Sequence, residues 1–94
     1  MIKEFKEYKS KIHNTCYISE SVDIIGNVVI KDNSNIWFGT RIRGDMNEVV
    51  IDKNTNIQEN SVVHVDSYCG TYIGNDVTIS HGAIIHGCTI HNNV

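Results

Sequence analysis

The chain has 94 residues, with 8 Lys and Arg against 11 Asp and Glu and a formal net charge of −3. This length predicts one domain with a modest core, and a mildly acidic chain without a basic run argues against nucleic acid as a partner. No apolar run approaches the roughly 18 residues that span a bilayer, so we expect no membrane partner. No signal-peptide pattern is recognised, and three cysteines without CxxC spacing favour reduced thiols. We therefore expect a cytoplasmic protein.

Residues 1–12, MIKEFKEYKSKI, carry alternating charges and precede any regular repeat. This pattern is compatible with either a short helix or a strand that leads into the fold and covers its first layer. We therefore predict a single domain over 1–94, in which 1–12 form a lead-in segment and 13–94 form the repeats.

A six-residue repeat organises the rest of the chain. Aliphatic residues recur every six positions, interrupted by a nine-residue step after Ile42 and a ten-residue step after Val63. A small or β-branched residue follows four positions after each member, with Met46 as the one bulky exception. The members are Ile18, Ile24, Ile30, Ile36, Ile42, Ile51, Ile57, Val63, Ile73, Ile79, either Ile84 or Ile85, and Ile90.

A period of six fits neither an α-helix nor a long straight strand, and it indicates short strands joined at regular corners. The pattern resembles the left-handed parallel β-helix of the hexapeptide-repeat superfamily, in which three hexads make one triangular coil. The resemblance implies an all-β fold of about four coils, stacked roughly 4.8 Å apart, with a hand that departs from the usual crossover rule. Val94 falls inside a hexad and would leave a coil edge unpaired, so we expect the domain to be incomplete at its C-terminus.

Counting hexads assigns the polar residues to faces of the coil. Arg43, His64 and His86 fall in the fifth, eighth and eleventh hexads, so they stack on one face in successive coils. Gln58 and His81 fall in the seventh and tenth hexads and share the adjacent face. The two sets of residues therefore point in different directions within one chain.

Eleven residues rather than twelve separate Ile79 from Ile90, so one hexad is short. If the short step follows His86, that residue comes into register with His64 one coil away, which suits two ligands of one ion. His81 is a poor partner for this pair within one chain. In a threefold trimer, where one face meets a different face of the neighbour, His81 of the adjacent chain would complete a three-histidine site with an open position.

Each of these residues also has a simpler interpretation. The two other histidines of the chain are predicted to be exposed or hydrogen-bonded bystanders, namely His13 and His91. Arg43 and Asp45 in RGDMN would form a surface ion pair worth under about 1 kcal/mol. Asn56 and Gln58 in NTNIQEN would be turn residues.

Taken together, the segments SNIWFGTRIRGDMN, IDKNTNIQENSVVHVD and YIGNDVTISHGAIIHGCTI, with KIHNTCYISESVDIIGNVVI before them, resemble the γ-class carbonic anhydrases. The resemblance covers nearly the whole chain. It implies a homotrimer with three interface metal ions, usually zinc and sometimes iron or cobalt. It also implies that His64 and His86 bind the ion from one subunit while His81 binds it from the next.

The activity that the resemblance implies is reversible hydration of carbon dioxide to bicarbonate by a metal-bound hydroxide, a lyase reaction. Gln58 would hydrogen-bond this hydroxide and orient it. Arg43 and Asp45 would pair across the subunit interface and order the site. Asn56 would support the site without contacting the metal.

The chain departs from the best-studied form of the family at the positions that export the proton. Met46 stands where an acidic shuttle residue follows the RGD, and the loop HVDSYCGTYIG is short, with Asp66 as the only nearby acid. We assign no shuttle role to Asp66. We therefore expect hydratase activity to be weak or absent.

Two other classes of function stay open. The same β-helix hosts coenzyme A-dependent acyltransferases and thioesterases, which generally use a single catalytic histidine and need no three-ligand metal site. A non-catalytic, metal-binding or scaffolding trimer is the third class. Metal content and oligomeric state distinguish these classes.

Overall fold

The computed structural model describes residues 1–94 and consists of β-strands wound into about four parallel coils, without a helix. The all-β, parallel β-helix predicted from the hexads is confirmed. The structure contains no helix that could span a membrane. The strands in chain order are β1 (Ile2–Lys3), β2 (Lys11–Ile12), β3 (Tyr17–Ile18), β4 (Asp23–Ile30), β5 (Asn35–Ile36), β6 (Arg41–Ile51), β7 (Asn56–Ile57), β8 (Val62–His64), β9 (Thr71–Ile73), β10 (Thr78–Ile79), β11 (Ile84–His86) and β12 (Thr89–Ile90).

The repeat members stack in register on three faces, each strand segment pairing in parallel with the coil on either side. The first face stacks Ile24, Ile42, Val63 and Ile85. The second face stacks Ile12, Ile30, Ile51, Ile73 and Ile90. The third face stacks Ile18, Ile36, Ile57 and Ile79. Members three hexads apart therefore share a face, as the sequence predicts.

The repeat members form the core because each points inward while its two neighbours in the chain point outward. Ile24, Ile36, Ile51 and Ile57 have no solvent exposure. Burying an aliphatic side chain of this size stabilises the fold by about 1.5–3 kcal/mol. The outward-pointing side chains can therefore form a functional site without disturbing the core.

Buried hydroxyl residues hold the corners together. Ser34 Oγ donates to the main-chain oxygen of Asp52 at 2.6 Å, and Thr55 Oγ1 donates to that of Gly74 at 2.7 Å. Each bond joins one coil to the next. No buried side-chain nitrogen or oxygen lacks a partner. The small corner residue predicted four positions after each repeat member is explained by this role at Ser34, Thr40, Thr55 and Ser61.

Several corners turn through residues in the left-handed backbone region. Asn33, Asn54, Asn60 and Asp76 have φ between 57° and 59°. Asparagine and aspartate tolerate this conformation better than other residues with a side chain. The abundance of asparagine in the chain follows from this geometry.

The short hexad lies after His86. Ile85 pairs with Val63 and is half-buried, whereas Ile84 is 77% exposed. The repeat member is therefore Ile85, and of the alternatives that the sequence leaves open, the one that aligns His86 with His64 is correct.

Residues 1–12 form strands rather than a helix. β1 pairs with β4 through Ile2 and Ile24, and β2 pairs with the same strand through Ile12 and Ile30. Between them, Phe5 and Tyr8 form an isolated antiparallel bridge, and Phe5 lies beside Gly26 of β4. The lead-in therefore covers an edge of β4, which agrees with the interpretation of residues 1–12 as a strand that leads into the fold. Its separation from 13–94 within one domain stays a prediction.

Candidate functional site

The two histidines predicted to share a metal ion lie side by side on the first face. His64 ends β8 and His86 ends β11, and the two are paired in register. Their ring centroids are 5.0 Å apart, with an angle of 58° between the ring planes. Each follows an inward-pointing repeat member, so each ring points out of the coil. His64 is half-buried and His86 is exposed.

The ring of His64 is engaged by a carboxylate and a guanidinium. Its Nε2 lies 3.0 Å from Asp45 Oδ1, and its Nδ1 lies 3.5 Å from an Arg43 nitrogen. Arginine only donates, so Nδ1 faces Arg43 as an acceptor and Nε2 carries the proton given to Asp45. Arg43 Nε also lies 3.5 Å from Asp45 Oδ2. The predicted Arg43–Asp45 pair thus exists within one chain, and its pairing across an interface stays a prediction.

The carboxyl group of Asp45 is held ionised by these contacts. Burial acts to raise its pKa, but the Met46 amide N–H, the hydrogen bond with His64 and the charge of Arg43 together outweigh burial and lower the pKa below its usual range. An ionised Asp45 orients the imidazole of His64, as carboxylates behind metal-binding histidines do. In this chain the carboxylate contacts Nε2 of the ring.

His81 lies apart from this pair. It follows β10 on the third face and is exposed, and no hydrogen bond or ion pair of the chain engages its ring. Within the chain, no group of three or more His, Cys, Asp and Glu side chains is arranged to hold a metal ion. One chain therefore brings together two of the three predicted ligands, His64 and His86, and presents the third elsewhere.

The donor chemistry at the histidine pair fits a divalent metal ion. Outward imidazoles in register are suitable zinc ligands, and a carboxylate beside one of them is typical of such sites. The hydrogen bond with Asp45 leaves His64 Nε2 protonated, whereas a metal ion needs an unprotonated ring nitrogen. Metal binding through that nitrogen therefore requires Asp45 to exchange its partner.

Gln58 and Asn56 lie on the third face and belong to a row of hydrogen-bonded side chains. Gln58 Nε2 donates to Asn56 Oδ1 at 3.1 Å, and Asn56 Nδ2 donates to Asn35 Oδ1. Trp37 Nε1 donates to the same Asn35 oxygen at 2.7 Å. No hydrogen bond joins this row to His64 within the chain.

The sequence predictions did not include Asn35 and Trp37, although the sequence contains a signal for them. The triplets Asn-Ile-Trp at 35–37 and Asn-Ile-Gln at 56–58 are aligned on consecutive coils. Matching triplets on neighbouring coils place their outward side chains next to each other. Comparing hexads on one face would therefore have found the row.

Asp66 is held by its own loop. Its Oδ1 accepts hydrogen bonds from the amide N–H groups of Cys69, at 2.7 Å, and Tyr68, at 2.9 Å. These two bonds, assisted by the nearby His86 and His64, lower the pKa of the carboxyl group. A carboxylate that is held ionised in this way is a poor proton carrier near neutral pH, which agrees with leaving Asp66 without a role.

Relatives of the chain have been named as carbonic anhydrases and as transferases, while no family model matches it. The chain is 44% identical over 77 residues to a probable carbonic anhydrase of Methanocaldococcus jannaschii, covering 82% of this chain and 48% of the relative. It is 41% identical over 87 residues to the mitochondrial gamma carbonic anhydrase 1 of Arabidopsis thaliana, covering 86% and 32% respectively. A solved hexapeptide transferase family protein from Anaplasma phagocytophilum matches with a TM-score of 0.89 and 39% identity, over 94% of this chain and 51% of that one.

The chain therefore spans about a third to a half of the length of these relatives. Their names differ in the activity they give, and the name of the solved structure refers to a hexapeptide family. The sequence similarity and the parallel β-helix together show that the chain has the fold of hexapeptide-repeat proteins and is similar to γ-carbonic anhydrases.

Proposed function

We propose that the chain supplies the metal-binding coils of a carbonic anhydrase-like homotrimer that hydrates carbon dioxide reversibly to bicarbonate. The observation that carries the proposal is the outward pair His64 and His86, in register with ring centroids 5.0 Å apart. Two of the relatives described above are named carbonic anhydrases, which supports the substrate class. The proposed compartment is the cytoplasm, because the cysteines are all free thiols, as is typical of a reducing environment.

His64 and His86 would bind the ion from one chain, and His81 would bind it from the neighbour. Zinc suits three neutral imidazoles, with iron and cobalt as the other candidates. When bound, the ion would act as a Lewis acid that lowers the pKa of a water molecule toward about 7. The exposed position of His81 supports a role towards another chain, because nothing within its own chain engages its ring.

Asp45 would change its partner when the site assembles. In the isolated chain its carboxylate holds His64 Nε2 at 3.0 Å. Released from that nitrogen, the carboxylate would pair with an arginine at position 43 across the interface. Binding of the metal and association of the chains would then favour each other, since both require the same movement of Asp45.

Gln58 would orient the water that attacks carbon dioxide. Its amide nitrogen is occupied by Asn56, which leaves the amide oxygen available to accept a hydrogen bond. An acceptor held in place selects one orientation of the attacking O–H and so favours the productive geometry. Removal of the proton is the weak step of this site, because Met46 cannot carry one and Asp66 is held by backbone N–H groups.

An acyltransferase is the second candidate, favoured by the transferase name of a structure that covers 94% of this chain. In that function His86 would act alone as a general base, since its ring is exposed and it has no hydrogen-bonding partner. Such an enzyme would not need His81. The two functions therefore differ in their dependence on metal and on His81.

The test combines zinc content, oligomeric state and stopped-flow carbon dioxide hydration, measured on the 94-residue chain. We expect a trimer with one zinc ion per chain, and hydration that is abolished by a chelator and restored by zinc. His91→Ala is the control and should retain the metal. A metal-free monomer would contradict the proposal. A zinc-loaded trimer without hydration would favour a metal-binding module, and metal-independent acyl transfer would favour the second candidate.

A further inference from the structure

Four side chains form a continuous row of hydrogen bonds along the third face, which we call the amide row: Trp37, Asn35, Asn56 and Gln58. It runs across two coils, and each link is a bond between side chains. All four residues are half-buried. The end of the row at Gln58 is the end that the proposed function uses, whereas the Trp37 end has no assigned role.

The direction of the amide row is set by its first member. The indole N–H of Trp37 can only donate, so the side chain of Asn35 must turn its oxygen toward it. The same oxygen then accepts from Asn56, which must present its nitrogen. Asn56 in turn presents its oxygen to Gln58, which must donate. One donor-only group therefore decides which way three amides point.

Trp37 is itself held in place. Its ring lies 5.0 Å from the ring of Tyr17 and 6.4 Å from that of Phe38, measured between centroids. Its backbone N–H donates to Ile57 of the next coil at 2.9 Å. A fixed backbone and two aromatic neighbours restrict the indole to one orientation, so its N–H is a fixed reference for the row.

We propose that Trp37 is a positioning residue that directs the amide oxygen of Gln58 outward, through Asn35 and Asn56. This inference rests on the proposed function for the use made of Gln58, but the orientation of the amide is a property of the chain alone. Without the indole N–H, the whole row can reverse: each amide turns over and the same number of amide-to-amide bonds remains. Gln58 would then accept from Asn56 and present its nitrogen outward.

Both ends of the amide row can be observed separately by NMR. Trp37 is the only tryptophan and Gln58 the only glutamine of the sequence. With ¹⁵N introduced selectively into tryptophan and into the glutamine side chain, one indole signal and one pair of glutamine NH₂ signals are therefore expected in a ¹⁵N–¹H spectrum. In the natural chain, reversal of the row would leave the indole N–H without an acceptor. This cost disfavours the reversed row by a factor of about five or more.

Trp37→Phe removes the N–H and keeps an aromatic ring beside Tyr17. We expect the Gln58 NH₂ signals to shift or split, and their exchange with water to accelerate at least about twofold, because both directions of the row become comparably populated. The matched variant is Trp37→Phe with Asn35→Asp. A carboxylate at position 35 only accepts, so Asn56 must again donate to it and Gln58 must donate to Asn56.

The double variant should therefore return the Gln58 signals to their natural positions, although it lacks the indole. Asn35→Asp alone should leave the Gln58 signals unchanged. If Trp37→Phe does not fold, Asn35→Leu removes the link with the indole intact and should shift the same signals. A Gln58 signal unmoved in both Trp37→Phe and Asn35→Leu, or one not restored in the double variant, would overturn the proposal.

These spectra are recorded on the metal-free chain, so they do not depend on zinc or on carbon dioxide hydration. Absence of carbon dioxide hydration in the natural chain would contradict the proposed function, but it would not affect the result on the orientation of the Gln58 amide. An unmoved Gln58 signal in an active enzyme would contradict the positioning role of Trp37 and leave the proposed function intact. Where hydration is measurable, kcat should fall in Trp37→Phe and recover in the double variant.

Discussion

His64 and His86 occupy the same position on consecutive coils of the first face, with their ring centroids 5.0 Å apart. Each is the residue directly after a buried repeat member, so the regularity of the hydrophobic core fixes the direction of both rings. We expect His64→Ala and His86→Ala each to weaken zinc binding by more than about 100-fold, a larger loss than removing a residue behind a ligand. Equilibrium dialysis measures this, with His91→Ala as the control; unchanged affinity in either variant would contradict the assignment.

A second prediction concerns the contribution of the core to the free energy of unfolding. Ile36 has no solvent exposure and packs between coils, so Ile36→Ala should lower the free energy of unfolding by about 2–5 kcal/mol. Ile2, which is 56% exposed, is the matched control, and Ile2→Ala should change the value by about 1 kcal/mol or less. Urea denaturation followed by circular dichroism measures both. Equal losses would mean that the stacked isoleucines are not the core.

Gly26 and Gly82 both have a left-handed backbone, so comparing their alanine variants separates the cost of steric crowding from the cost of backbone strain. Gly26 has φ +84°, and a Cβ there would lie 2.4 Å from the main-chain oxygen of Gly44. Gly82 has φ +69°, and a Cβ there would meet nothing within 4 Å. Gly82→Ala should lower the free energy of unfolding by about 1–2 kcal/mol, the cost of the backbone conformation. Gly26→Ala should destabilise clearly more, and a smaller loss at Gly26 than at Gly82 would contradict the close packing of β4 on β6.

Tyr72 gives a prediction on pH. Its phenol donates to Glu48 Oε2 at 2.8 Å, and this bond, assisted by burial and by the charge of Glu48, raises the pKa of Tyr72 above its ordinary value of 10.0. A raised pKa means that the folded chain holds the proton more tightly than the unfolded chain does. The stabilisation is therefore complete below pH 10 and is lost as the pH rises through the folded pKa.

We expect the difference in unfolding free energy between the natural chain and Tyr72→Phe to shrink steadily above pH 10. Titration of the phenols by absorbance checks the same point, because the component that ionises above the ordinary value of 10.0 should disappear in Tyr72→Phe. Tyr68→Phe, at an exposed position without a carboxylate partner, is the control. A stability difference independent of pH would contradict the Tyr72–Glu48 bond.

The hexads predicted the faces correctly because inward and outward positions alternate strictly along each short strand. His64 and His86 could therefore be aligned by counting alone. Counting could not decide between Ile84 and Ile85, since both are aliphatic and adjacent; the structure resolves this through the pairing of Ile85 with Val63. Residues 1–12 were equally ambiguous, because their alternating charges suit either a helix or a strand.

The alignment of the amide row can be predicted by comparing hexads, but its direction cannot. Spacing places Asn35 above Asn56 and Trp37 above Gln58, but it gives no information on which way an amide points. That direction is decided by a donor-only indole at the end of the row. The sequence also predicts His81 as the third ligand, but a single chain cannot show its position relative to His64 and His86, because in the proposed site it belongs to a neighbouring chain.

The central claim is that each metal site is shared between two chains, and a mixing experiment tests it most directly. His81→Ala chains keep the pair His64 and His86, and His64→Ala chains keep His81, so neither variant alone should bind zinc well. Refolded together in equal amounts, they should recover about a quarter of the natural zinc content, as random neighbours in a cyclic trimer require. Verified mixed trimers that bind no more zinc than the separate variants would contradict the shared site.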